Sequence, residues 1–133
     1  MVDYVSILAK DPAGVLATKD GEHVRTRVFQ CLFTEGKKAY FCTSSEKPVY
    51  SQMNKDPYVS FCTYGKDFSP VLSISGKVAF VEDSALKVRA LDENPLIKNI
   101  YGSPENPIFK IFAVDIEEVS TFSLAEGLRQ YTL

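Results

Sequence analysis

Two hydrophobic periods run along this chain, and the places where one gives way to the other mark its elements. Tyr4, Ile7 and Leu8 fall at helical spacing within residues 2–10, and Asp11-Pro12 ends that short helix. From Gly14 to Phe33 the pattern turns to β, with two runs meeting at Lys19-Asp20-Gly21, where Asp-Gly is a strong hairpin signal. A second turn at Thr34-Glu35-Gly36-Lys37 leads into a strand over 38–43, so this half predicts a three-strand antiparallel meander. Ser44 or Ser45 then caps a predicted helix with Pro48 in its first turn, Val49, Gln52 and Met53 on one side, and Asp56-Pro57 as its stop. Residues 58–64 and 71–82 read as strands around a loop at 65–70. Gly76 inside the second strand predicts a bulge of the kind that curls a sheet into a barrel. Asp83 or Ser84 caps a helix through Leu91. Residues 92–107 hold three prolines and read as a loop with one helical turn at Leu96–Ile100. A long closing strand over 108–124 precedes a short polar tail. The expectation is a single domain over 1–133, mainly β, with six antiparallel strands forming a barrel and two or three short helices on its rim.

Composition narrows the function without naming it. At 45% hydrophobic and 24% charged, the 133 residues suffice for one packed core and no second one. Fifteen Lys and Arg against 17 Asp and Glu give a net charge of −2, which argues against a general nucleic-acid binder. No apolar run approaches the roughly 18 residues of a membrane span, and Met1-Val2-Asp3-Tyr4 has no signal-peptide character. Cys31, Cys42 and Cys62 sit in apolar runs at no zinc-like spacing, and His23 is the only histidine, so no metal site is expected and the cysteines read as free thiols. A cytoplasmic protein is the expectation.

Catalytic side chains are hard to nominate. No Gly-x-Ser-x-Gly elbow, no phosphate loop and no partner for His23 is present, and Asp92-Glu93 and Glu117-Glu118 read as solvated surface. Arg25-Thr26-Arg27 is different. Strand geometry puts both guanidinium groups on one face, roughly 6.6 Å apart along the chain, where like charges repel unless an anion or acidic partners intervene. The corner Cys42-Thr43-Ser44-Ser45-Glu46-Lys47 joins a strand to a helix start and offers hydroxyls, amides and a lysine. One hairpin separates the two features, so they are expected on adjacent strands, where together they suit a phosphorylated ligand. Separately, each reads more readily as arginines paired with surface carboxylates and a serine capping a helix; the conjunction favours the ligand site.

The stretches GVLATKDGEHVRTRVF, KAYFCTSSEKPVYSQMNKDPYVSF and ISGKVAFVED, in this order and spacing, give the chain from about Gly14 to Phe122 a resemblance to a known family. It resembles the pyridoxamine 5′-phosphate oxidase-like flavin-binding split barrels, especially the small general-stress and nitroimidazole-resistance-like members. The resemblance implies a six-stranded split barrel that dimerises and binds FMN in the groove between subunits. It implies that Arg27 reaches the FMN phosphate with Arg25 beside it, and that the backbone of Val28, Phe29 and Gln30 follows the isoalloxazine edge. It also implies that Cys42, Thr43 and Ser44 hold phosphate or ribityl oxygens and that Lys47 pairs with the phosphate. Val28 replaces a proline common in relatives, and Pro48-Val49 replaces an Arg-Lys pair of the vitamin B6 oxidase, which argues against that reaction itself. The implied activity is electron transfer from a reduced nicotinamide to a small oxidant, with catalytic residues unassigned. Carriage of flavin, a deazaflavin or haem without turnover is the alternative.

Overall fold

The computed structural model describes residues Met1–Leu133. Eight strands and four α-helices follow in the order α1 (Tyr4–Lys10), β1 (Ala13–Asp20), β2 (His23–Gln30), β3 (Phe33–Glu35), β4 (Lys38–Ser44), α2 (Pro48–Lys55), β5 (Tyr58–Tyr64), β6 (Val71–Val81), α3 (Ser84–Glu93), α4 (Pro95–Tyr101), β7 (Phe109–Ser123) and β8 (Gly127–Thr132). The strands form one antiparallel sheet in the order β2-β1-β5-β6-β7-β4-β3, with β8 also on β7. β7 is long enough to carry two partners on one edge: β4 along Phe109–Asp115 and β8 along Glu118–Ser123.

This topology corrects the sequence reading in four places. The three-strand meander does not form, because the chain breaks at Cys31-Leu32 into β2 and β3, and β4 pairs with β3 and β7 rather than with β2. The six strands become eight, since β3 is a separate short strand and the expected polar tail is β8. The sheet is open: β2 hydrogen-bonds only to β1, and no ladder joins it to β4. The helices number four, because residues 95–101 form two turns rather than one, ended where Gly102 takes a positive φ.

Local chemistry accounts for most boundaries. The Asp83 carboxylate accepts from the Ala85 and Leu86 amides and starts α3. Lys47, not Ser44 or Ser45, is the N-cap of α2, with Pro48 as its first residue. The bulge expected at Gly76 is present: the β6–β7 register shifts between Ser75 and Gly76.

The sheet curls because its alternating side chains feed two clusters. Leu16, Phe41, Phe61, Ile74, Phe112 and Val114 fill the concave side, covered by Leu8 of α1 and by Val49 and Met53 of α2. Tyr40, Ile111 and Ala113 point the other way and pack with Phe33 and Phe109 under Ala90 and Leu91 of α3. Strands from both ends of the sheet contribute to the concave core, so β2 and β4 face each other across a split without hydrogen-bonding. No helix is long and apolar enough to cross a membrane.

Candidate functional site

The split exists because β3 covers only residues Lys38–Tyr40 of β4, leaving the outer edge of Cys42–Ser44 open opposite the free edge of β2. A groove of ≈ 570 Å³ lies there, within the range of small-molecule sites. β2 supplies Arg27, Val28, Phe29 and Gln30, β4 supplies Cys42, the start of α2 supplies Lys47, Pro48 and Val49, and α4 supplies Leu96, Ile97, Ile100 and Tyr101. Arg27 and Lys47 are thus brought together, but across the split and not on adjacent strands. The strands β1, β5, β6 and β7 separate β2 from β4 within the sheet.

The two arginines have different surroundings. Arg25 Nε donates to Asp20 Oδ2 at 3.1 Å in an exposed ion pair, so its charge is matched by a surface carboxylate. Arg27 forms no ion pair. Its Nη2 donates to Gln52 Oε1 at 2.7 Å and its Nη1 to Thr18 Oγ1 at 2.5 Å. Burial lowers the Arg27 pKa from its usual value, the nearby Arg25 charge adds to that, and Asp20 opposes it. Lys47 likewise has no carboxylate within ion-pair distance, so both cations of the groove retain their charge for a ligand.

The corner 42–47 differs from expectation in its amides. Ser45 N donates to Ile108 O, Lys47 N to Ser44 O and Glu46 N to Ser44 Oγ, and Pro48 has no N–H. These backbone donors are consumed by the turn itself and by Ile108 just ahead of β7, and Ser44 and Thr43 do not line the groove. Arg25 does not line it either. Thr43 Oγ1 is buried without a hydrogen-bond partner, on the opposite face of β4 from Cys42 and away from the groove.

Sequence reasoning missed Thr18, Pro48, Val49 and the whole α4 wall. Gln52 was visible only as one of three residues on a helix side; a polar residue between Val49 and Met53 on a buried face was the available signal. Burial pushes the Cys42 thiol up to about 12, with Lys47 acting the other way. Burial pushes the Tyr101 phenol to about 12 as well, and nearby Cys42 adds to the rise. Both groups therefore hold their protons at neutral pH. His23 is exposed at the start of β2, just past the β1–β2 turn, and lines no part of the groove.

A curled antiparallel sheet with a cationic and apolar groove at the split between β2 and β4 makes this a split-barrel β protein. The sequence profile described as pyridoxamine 5′-phosphate oxidase matches residues 3–123, and the chain belongs to that family. A NimC/NimA family protein from Clostridium acetobutylicum is 25% identical, with a TM-score of 0.86 over 98% of this chain and 90% of that one. General stress protein 26 from Bacillus anthracis str. Sterne shares the fold at 18% identity and a TM-score of 0.82, over 97% of this chain and 95% of its own. A pyridoxamine 5′-phosphate oxidase-related, FMN-binding protein from Nostoc punctiforme aligns at 16% identity and a TM-score of 0.63, over 90% and 78% of the two chains. No curated protein matches the chain.

Proposed function

We propose that the groove binds FMN and that the protein passes electrons from a reduced nicotinamide to a small oxidant such as a quinone or a nitro compound. One observation carries this reading: Arg27 and Lys47, both without carboxylate partners, stand at a groove whose remaining walls are largely apolar. A dianionic phosphate joined to a flat apolar ring matches that division. Arg27 and Lys47 hold the phosphate through charge-assisted bonds. Phe29, Val28, Leu96 and Ile100 face the ring, and the free backbone edge of β2 at Val28–Gln30 offers donors and acceptors to its polar rim. A flavin held there would supply two-electron transfer between a hydride donor and an acceptor, and the residues of the groove would position it and exclude water. FMN-binding membership of the fold family, as in the Nostoc protein, supports the choice of flavin.

The functional unit in this reading is a homodimer in the cytoplasm. Val28, Leu96 and Ile100 are 77%, 74% and 68% exposed on one rim, an arrangement that suits cover by a second chain over the ligand. The test is titration of the purified protein with FMN and riboflavin, read by flavin fluorescence, followed by NADH and NADPH oxidation with a quinone acceptor. FMN binding with turnover supports the proposal. Absence of FMN binding below high micromolar concentration overturns it.

Carriage without turnover is the second reading, favoured by a groove with no histidine or carboxylate among its lining residues to relay the protons that reduction of a quinone or nitro compound takes up. FMN binding without nicotinamide oxidation selects it.

A further inference from the structure

We infer that Gln52 is a positioning residue: with Thr18 it fixes the Arg27 guanidinium at the groove while leaving its positive charge for a ligand phosphate. The inference rests on the phosphate-binding role given to Arg27 above. Gln52 Oε1 accepts from Thr18 Oγ1 at 2.9 Å and from Arg27 Nη2 at 2.7 Å, and Thr18 Oγ1 accepts from Arg27 Nη1 at 2.5 Å. The three side chains close a triangle that ties α2 to β1 and β2. Thr18 is 1% exposed and Gln52 9%, so neither has water to replace a lost partner and the arrangement is rigid.

The chemistry of the acceptors is the telling part. Every acceptor around Arg27 is neutral: the Gln52 amide oxygen, the Thr18 hydroxyl and the Arg25 carbonyl at 3.4 Å. A half-buried arginine is ordinarily matched by a carboxylate, as Arg89 is by Glu35 and Glu93. A glutamine holds the guanidinium as firmly in space without cancelling its charge. Of the five guanidinium N–H groups, Nε–H and one Nη2–H have no protein partner and are free for oxygens in the groove.

The test uses the full chain with Gln52→Leu and Gln52→Glu. Two readouts are taken: the hydrogen-bonded ¹⁵Nη–H NMR signals of Arg27 without ligand, and dissociation constants for FMN and riboflavin. Gln52→Leu is expected to broaden or lose the protected Arg27 signal and to weaken FMN by about tenfold, with riboflavin unchanged. Gln52→Glu is expected to keep the Arg27 signal and still weaken FMN, because the new carboxylate competes with the phosphate. An unchanged Arg27 signal in Gln52→Leu, equal losses for FMN and riboflavin, or wild-type FMN affinity in Gln52→Glu overturns the inference. If the wild type binds neither flavin, the flavin reading fails by itself. Inorganic pyrophosphate then serves as the probe, and perturbation of the Arg27 signal in wild type but not in Gln52→Glu sustains the positioning role, while any other pattern overturns it.

Discussion

Phe29 of β2 stands edge-on to Phe41 of β4, ring centroids 6.2 Å apart at 87°, although four strands lie between them in the sheet. Phe29 also meets Phe112 at 5.6 Å, and Phe112 stacks on Phe41 at 5.4 Å. This aromatic triad joins the two ends of an open sheet through side chains where no backbone ladder does so. Arg27 projects from the same side of β2 two residues earlier, so the contact that holds the split at its width also sets the height of the guanidinium.

Replacing Phe29 by alanine should therefore act twice. Stability should fall by about 2–3 kcal/mol, somewhat less than for a fully buried ring, and FMN affinity should fall with it as β2 loosens. Val28→Ala, on the outward face, should stay within about 0.5 kcal/mol of wild type. Urea denaturation of both variants measures the contrast, and equal losses would remove the triad from the explanation.

The two arginines should separate in binding experiments. Arg27→Ala is expected to raise the FMN dissociation constant by roughly ten- to a hundredfold, the equivalent of one or two charge-assisted bonds. Arg25→Ala removes an exposed ion pair with Asp20 and should change affinity less than threefold. Fluorescence titration at fixed ionic strength reads both, and a larger effect at Arg25 would move the phosphate along the strand.

How much of this was visible beforehand follows from the range of each interaction. β5 over 58–64, the Gly76 bulge, the Asp83 cap and the Asp20-Gly21 turn are local signals, and they were legible residue by residue. The order of strands was not. Nothing near Lys38–Ser44 indicates that its partner is Phe109–Asp115 rather than β2, because that choice is made by Phe41 and Phe112 sharing one core. β8 was hidden for a similar reason: its polar, exposed residues have no strand-like face, and pairing with the far half of β7 imposes the strand. In the groove, the strand motif Arg25-Thr26-Arg27 pointed to an anion, but which arginine is free depended on Asp20 and Gln52, one five residues away and the other on another element.

Buried thiols give a pH signature. Cys31 and Cys42 both have pKa values pushed from 9.0 to about 12, chiefly by burial. The folded state keeps these protons where the unfolded chain loses them, so the unfolded state binds fewer protons between pH 9 and about 12. Stability should accordingly be level below pH 9 and decline above it. The decline should be shallower in a Cys31→Ala, Cys42→Ala variant, even though that variant starts from a lower stability. Denaturant midpoints from pH 7 to 10.5 test the slope, and parallel curves for the two proteins would show that other groups control it.

Gly76 gives the sharpest stability test. A Cβ built there lies 2.0 Å from the Asp115 carbonyl oxygen and 2.8 Å from its carbon, both backbone atoms of the neighbouring strand. β6 is paired on both sides at this point, with Val59 and Ile116, so neither strand can withdraw without breaking a ladder. Gly76→Ala should therefore destabilise by about 3 kcal/mol or more, in the range of overpacked cores and broken networks. Gly36→Ala is the matched control: its Cβ meets nothing within 4 Å, but its φ of +58° favours glycine. That substitution should lose only about 1 kcal/mol, the cost of placing alanine in the left-handed region. Thermal and urea unfolding of the pair separates steric exclusion from backbone preference, and a Gly76→Ala loss no larger than that of Gly36→Ala would mean that the bulge opens to accept a methyl group.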